Sequence, residues 1–210
     1  MIRLAENFND IYEYAKEHPT SIIINAGLFN VDGTANGQVI INKKDKSLTS
    51  LVLDDQGKLI SKYECYPLII NNGNLFCIDQ NRFSYKNFPK YLCNYDYAVC
   101  GWGALYEDGI KNENFIINEW RHGKKIKSRQ IIGQLKNKNY FIFTCEKASY
   151  RYIFKFLEKK EVDFAYSLDG GRSTKLIIGG KQLNKVAFFS KTARPKIPNF
   201  IEFIPQKKEN

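Results

Sequence analysis

The spacing of apolar residues changes several times along the chain, and each change marks an element. Leu4, Phe8, Ile11, Tyr12 and Ala15 recur at helical spacing, and His18-Pro19 closes the run. That predicts one amphipathic helix at the N-terminus. Ser21-Ile22-Ile23-Ile24-Asn25 follows as a short β-branched run. It predicts a buried strand that carries Asn25-Ala26-Gly27 at its end.

From Gln38 to Ile78, strand-like runs alternate with turn signals at Lys44-Asp45, Asp54-Asp55-Gln56-Gly57 and Asn71-Asn72-Gly73-Asn74, which is the grammar of hairpins. Strands are predicted again over Tyr97 to Leu105, Ser128 to Leu135 and Tyr140 to Thr144, with turns at Glu107-Asp108-Gly109 and Lys136 to Asn139. A second helix is signalled from Ser149 to Lys160: Ser149 can cap it, and Tyr150, Ile153, Phe154 and Leu157 share one face. Phe164 to Leu168, Thr174 to Ile178, Gln182 to Phe189 and Phe200 to Ile204 complete the strands before a frayed tail at Gln206 to Asn210. The class expected is α+β, predominantly β with mixed or antiparallel sheets and two main helices. No linker, fixed-period repeat or low-complexity tract divides residues 1–210, so a single domain is expected.

Composition narrows the function classes. With 43% hydrophobic and 14% aromatic residues the chain can bury a core, which excludes a disordered segment. Its longest apolar runs, such as Ile22 to Ile24 and Phe141 to Phe143, fall far short of the roughly 18 residues of a membrane span, so no membrane partner is expected. Met1 to Asn7 turns polar and acidic before a signal-peptide core can form, which points to a cytoplasmic protein or a phage virion component. Cys65, Cys77, Cys93, Cys100 and Cys145 are scattered and form no Cys-x-x-Cys pair. They read as buried thiols, of a reducing compartment or of a protein released by a route that avoids oxidative folding. His18 and His122 lack ligand spacing to them, so neither a metal nor a cofactor is expected. The net charge of +10 favours anionic partners, nucleic acid or a phosphate-containing polymer, without choosing between them.

Three stretches carry candidate chemistry. In Ser167-Leu168-Asp169-Gly170-Gly171-Arg172-Ser173-Thr174 a carboxylate ends an apolar strand. Two glycines then permit a left-handed turn or a close approach, and an arginine and two hydroxyls follow. This is the composition of an oxyanion or sugar-phosphate site, and equally of a tight turn whose aspartate caps its own backbone. Asn25-Ala26-Gly27 offers an amide donor and acceptor at a strand end, suited to a sugar hydroxyl or to orienting a carboxylate. Arg129 sits inside the apolar run Ser128 to Gly133, where a guanidinium needs Asp169 or a substrate phosphate as its partner.

Taken in order, four segments resemble the phosphodiester glycosidase domain family over about residues 20–205: Asn25-Ala26-Gly27-Leu28-Phe29, Ala98-Val99-Cys100-Gly101, Arg129-Gln130-Ile131-Ile132-Gly133 and Leu168-Asp169-Gly170-Gly171-Arg172-Ser173-Thr174. Leu28, Gln130 and Arg172 depart from the family pattern, standing for an aromatic, a threonine and a third glycine. The resemblance implies a hydrolase of sugar-1-phosphodiesters, acting on a GlcNAc-phosphate-containing glycan or a nucleotide sugar. Asp169 is the nucleophile, base or electrostatic stabiliser. Arg129, Arg172 and the N–H groups of Gly170 and Gly171 hold phosphate, with Asn25, Gly27, Ser173 and Thr174 completing the substrate contacts. A partner carboxylate is sought in Glu146 or Asp32.

Two rival classes stay open. One is a non-catalytic sugar-binding module of a phage or cell-surface assembly, which Arg172 in the glycine turn favours; retention of Asp169 and Arg129 favours an enzyme. The other is nucleic-acid binding, which rests on charge and aromatics without a reading motif. The sequence leaves the oligomeric state open.

Overall fold

Strands built from continuous apolar runs, such as Ile22-Ile23-Ile24, need cover on both faces, and the architecture supplies it. The computed structural model describes residues 1–6, 11–29, 35, 37, 39–46, 67–78, 88–113, 115, 126–184, 197 and 199–205. Among these, three five-stranded sheets are formed, and every recorded strand pairing is antiparallel. The first runs β1 (Ile2–Glu6), β15 (Asn199–Phe203), β2 (Ile22–Asn25), β13 (Leu176–Ile178), β14 (Lys181–Gln182). The second runs β11 (Tyr140–Ala148), β10 (Lys127–Leu135), β12 (Val162–Ser167), β8 (Gly103–Glu107), β9 (Ile110–Lys111). The third runs β4 (Lys44–Asp45), β3 (Val39–Ile41), β7 (Tyr97–Cys100), β5 (Pro67–Asn71), β6 (Asn74–Cys77).

One face of every sheet meets a shared core, in which Leu4, Ile24 and Ile201 pack with Ile132, Phe164 and Tyr166 and with Val39, Leu68 and Val99. The alternate residues face helices. Ile23, Ile177 and Phe200 cover α1 (Ile11–Glu17), Ile40, Ile69 and Ala98 cover α2 (Phe88–Leu92), and Ile131 and Ala165 cover α3 (Tyr150–Leu157). Each helix leads through four residues, 18–21, 93–96 or 158–161, into the central strand of its own sheet, β2, β7 or β12.

The connections close a ring. After β2 the β3–β4 hairpin pairs with β7, after β7 the β8–β9 hairpin pairs with β12, and after β12 the β13–β14 hairpin returns to β2. The other flank of each central strand takes β5–β6, β10–β11 or the pair of chain ends β15–β1. The described residues thus form a threefold repeat in topology, which the sequence conceals because the three repeats set α1, α2 and α3 at unequal intervals, from Ile11, Phe88 and Tyr150.

Several expectations are corrected. Leu4 belongs to a strand, because Ile2 and Leu4 face the core at period two and β1 pairs with β15; α1 begins only at Ile11, and Phe8 lies outside the described residues. The turn placed at Lys44-Asp45 falls at Asn42-Lys43, where both residues have positive φ (52° and 63°). Tyr97 to Leu105 is two strands in two sheets, broken at Gly101-Trp102. Strand β11 runs on to Ala148, and α2 is a third helix. The turn at Asp54 to Gly57 and most of the strand expected after Gln182 lie outside the described residues. Cys77, Cys93 and Cys145 carry free thiols, but Cys100 is disulfide-bonded. That corrects the five-thiol reading and removes the ground for preferring a reducing compartment. No helix of the described residues is long and apolar enough to cross a membrane.

Candidate active site

The central strands of the three sheets end at one place, and their ends are tied to one another by backbone hydrogen bonds. Leu28, just past β2, donates to the Cys100 carbonyl at the end of β7 at 2.8 Å, and Trp102 donates to Ser167 at the end of β12 at 2.7 Å. Asp169 donates back to Ala26 at 3.0 Å. Two glycines make these seams possible. A Cβ on Gly27 would stand 2.4 Å from Val99 Cγ2 and 2.8 Å from the Cys100 carbonyl, and one on Gly101 would meet the Ser167 carbonyl at 2.6 Å. Both positions therefore exclude any side chain.

Asn25 clamps the third strand end onto the first. Its Nδ2 donates to the Asp169 carbonyl at 2.8 Å and its Oδ1 accepts the Lys175 N–H at 2.8 Å, so one buried amide spans both stems of the loop between β12 and β13. Asn199 does the same for the Gly27 turn, taking its N–H at 2.6 Å. The two loop glycines divide the roles anticipated for them. Gly170 is extended, and a Cβ there would lie 2.7 Å from the Ser128 carbonyl, so it permits close approach to β10. Gly171 has φ +65° and open space around it, so it permits the turn. A short 3-10 turn, Gly171–Ser173, follows.

The Asp169 side chain is half-buried on this loop. Burial lifts its carboxyl to about 6, against the opposing pull of the Ser173 hydroxyl, the Gly170 N–H and the charge of Lys127. The Gly170 N–H donates to Oδ1 at 2.8 Å, which is the self-capping turn that the sequence allowed as the plain alternative. Arg172 is exposed, and its carbonyl accepts the ammonium of buried Lys175 at 3.1 Å. Thr174 is fully buried, its hydroxyl without a hydrogen-bond partner among the described residues.

Arg129 lies on β10 directly beneath Gly170 and is 3% exposed. Its guanidinium sits 4.1 Å over the Tyr150 ring and its Nε donates to the Ala148 carbonyl at 3.4 Å. The Tyr150 hydroxyl in turn meets Ser167 Oγ at 2.6 Å, so the first residue of α3 links Arg129 to the end of β12. Glu146 is exposed on β11, where the register slips beside Lys127–Arg129, and its carbonyl accepts the Ser128 hydroxyl at 3.0 Å. Asn25, Gly27, Arg129 and the 169–174 loop are therefore brought together, Glu146 is carried on the adjacent strand, and Asp32 lies outside the described residues. Tyr150, Lys175, Asn199 and Lys127 were not singled out from sequence. Only Tyr150 had a signal, as the first apolar residue after a helix cap. Among the described residues no three His, Cys, Asp or Glu side chains are grouped to hold a metal.

An α+β ring of three sheets with a carboxyl on a glycine loop at their common end is the class that fold and site define. The sequence profile of the phosphodiester glycosidase family matches residues 4–204, and the chain belongs to that family. Among solved structures, the catalytic domain of zebrafish N-acetylglucosamine-1-phosphodiester α-N-acetylglucosaminidase, auto-inhibited by its pro-peptide, superposes with a TM-score of 0.69 at 17% identity. That match covers 98% of this chain and 73% of the other. A hypothetical protein from Synechocystis gives a TM-score of 0.63 at 15% identity, over 98% of this chain and 57% of its own. At such identities the two structures establish the fold alone. No curated protein matches the chain.

Proposed function

We propose that the chain hydrolyses sugar-1-phosphodiesters at the Asp169 loop, taking a GlcNAc-phosphate-containing glycan or a nucleotide sugar. The observation that carries this reading is the Asp169 carboxyl, lifted to about 6 by burial at the point where the three central strands end. Family membership supports the reaction class.

In such a substrate the leaving group is already a phosphate monoester, so its departure from the anomeric carbon needs little protonation. The site must chiefly hold phosphate and stabilise an oxocarbenium-like centre. Above pH 6 Asp169 is ionised and faces that centre as nucleophile or electrostatic stabiliser. Water supplies the oxygen that ends on the sugar, and the phosphate leaves with the bridging oxygen. Arg129 and Arg172 hold the phosphate. The Gly170 N–H is already taken by Asp169, which leaves the Gly171 N–H to help them. Glu146, exposed on β11, is the partner carboxylate that moves a proton to or from water.

A second reading, a sugar-binding module without turnover, draws on Arg172 standing where the family pattern has glycine. One experiment separates the two: incubate the protein with UDP-GlcNAc, a GlcNAc-1-phosphodiester and a teichoic-acid-like polymer, and assay free sugar against free phosphate monoester. Release of free sugar with its phosphate monoester supports the enzyme; binding of a probe without release from any of them supports the module.

A further inference from the structure

Helices α1 and α3 occupy equivalent places on their sheets, so their outer faces can be compared directly. On α1 the exposed residues are Glu13, Lys16 and Glu17, the usual solvated surface. The outer face of α3 is different. Tyr152 is 57% exposed and Phe156 37%, one helical turn apart, and the Phe156 ring packs at 4.8 Å on Phe143 of β11. Arg151, Lys155, Lys159 and Lys160 are exposed around them, with the Lys160 ammonium 5.5 Å from the Phe156 ring centre. Of the acids nearby, Glu158 is held by Lys111 at 2.7 Å, Glu146 lies at the active-site end of β11, and Glu161 is exposed next to Lys160. No recorded ion pair among the described residues engages the four cations. This helix also starts at Tyr150, on whose ring Arg129 rests.

Single exposed apolar residues are ordinary, whereas neighbouring aromatics that form one patch rimmed by charge mark an interaction surface. We infer that the Tyr152–Phe156 stripe with its surrounding cations is a docking surface for the polymeric part of an anionic glycan, a chain of sugars joined by phosphodiesters. The ring faces suit the C–H faces of sugars, and Arg151, Lys155, Lys159 and Lys160 suit the phosphates between them. The inference rests on the reading of the Asp169 loop as a sugar-phosphodiester site, since it extends that site along α3. A nucleic acid would use the same two chemistries, and it enters as an outcome of the test.

The full chain, Tyr152→Ala and Lys155→Glu are compared for retention in gels containing a polymer of GlcNAc units joined by phosphodiesters, and separately a single-stranded oligonucleotide. Turnover of a small GlcNAc-1-phosphodiester is followed in parallel. Both substitutions are on the surface, and neither residue is assigned to the reaction. The expected result is a loss of polymer retention of about fivefold for each variant, the size of one truncated aromatic anchor. The native protein's retention falls as salt rises, and turnover of the small probe changes less than twofold. Variants that hold the polymer as tightly as the native chain overturn the inference, as does an oligonucleotide held more tightly than the polymer and released by the same substitutions. Turnover with indifferent variants removes the docking surface and spares the enzyme. Tyr152-dependent retention without turnover removes the enzyme and spares the surface.

Discussion

Glu202 and Asp169 are both drawn away from solvent, and the protein treats these two carboxylates in opposite ways. Glu202, on β15, is fully buried beneath α1, where Ser21 Oγ donates to one oxygen at 2.7 Å while the Tyr14 hydroxyl and Arg3 Nε donate to the other at 2.7 and 2.5 Å. His18 Nδ1 stands 3.2 Å away. Burial alone would lift this carboxyl, but the donors outweigh it and hold it below its ordinary value. Burial first, and then the Glu202 carboxylate, push the Tyr14 phenol up to about 12 against the opposing pull of Arg3. Asp169 is less deeply covered, yet its few donors leave it lifted to about 6. A carboxylate that holds strands together is saturated with partners, whereas one kept short of them retains capacity for something not yet bound.

The sharpest way to break that contrast is to remove each carboxylate in turn. Asp169→Asn keeps an acceptor for the Gly170 N–H, so the fold and ligand binding should survive while turnover of a GlcNAc-1-phosphodiester falls about a hundredfold or more. Initial rates read beside melting temperature check this, and turnover within a few-fold of native would sink Asp169 as the reacting group. Glu202→Ala should do the reverse. It strands Arg3, Tyr14 and Ser21, and because Arg3 is about one-third exposed the cost should be about 2 kcal/mol of stability, below the full loss for a sealed ion pair. A denaturant midpoint measures that cost, and the specific activity of the folded fraction should hold.

The contrast was only half legible in the sequence. Asp169 announces itself because a carboxylate before Gly-Gly at the end of an apolar strand is rare grammar, and Asn25 was legible for the same reason. Glu202 sits mid-strand in Asn199-Phe200-Ile201-Glu202-Phe203 and looks like an ordinary outward-facing residue. Its partners come from three distant segments, so no spacing rule reaches them. The fold divides similarly. Hairpins turning on Asn72-Gly73 and Asp108-Gly109, and the helix capped by Ser149, were readable because each signal is local. The turn at Asn42-Lys43 was misplaced because a lysine at positive φ gives no warning. Strand β1 was masked because Leu4 fits both a helical and an alternating pattern, and only pairing with β15 decides between them. The Tyr150 platform under Arg129 is likewise a product of β10 lying beside α3.

Arg129 offers a finer division, because it is buried as deeply as a structural residue and yet borders the loop. Its work is done by a flat guanidinium lying on the Tyr150 ring, a shape that lysine cannot copy. Arg129→Lys should therefore lower kcat/KM about tenfold and fall within a few-fold of Arg129→Ala. Full activity in the lysine variant would show that only the charge matters there and would dissolve the link to α3.

The smallest effect is also the cleanest comparison, since pH acts on the two acids with opposite sign. The folded chain holds the Asp169 proton up to about 6 against an ordinary value of 3.8, so between these limits it binds more protons than the unfolded chain. Its contribution to stability then rises as pH falls from about 6 toward 4. Glu202 is held below its ordinary value of 4.5, so there the unfolded chain binds more protons. Its contribution is present above 4.5 and is lost as pH drops through the folded value. Subtracting the melting curve of Asp169→Asn from that of the native protein should leave a difference that grows in the native protein's favour from pH 7 to pH 4.5, by roughly 3 °C for each kcal/mol involved. Glu202→Gln should leave a difference that shrinks below pH 4.5. Scanning fluorimetry from pH 3.5 to 7.5 resolves both, and identical curves for native protein and Asp169→Asn above pH 4.5 would show that the loop solvates its carboxylate as fully as the strand does. In that case turnover should also lose its acid limb near pH 6, because the fraction of ionised Asp169 would no longer change there.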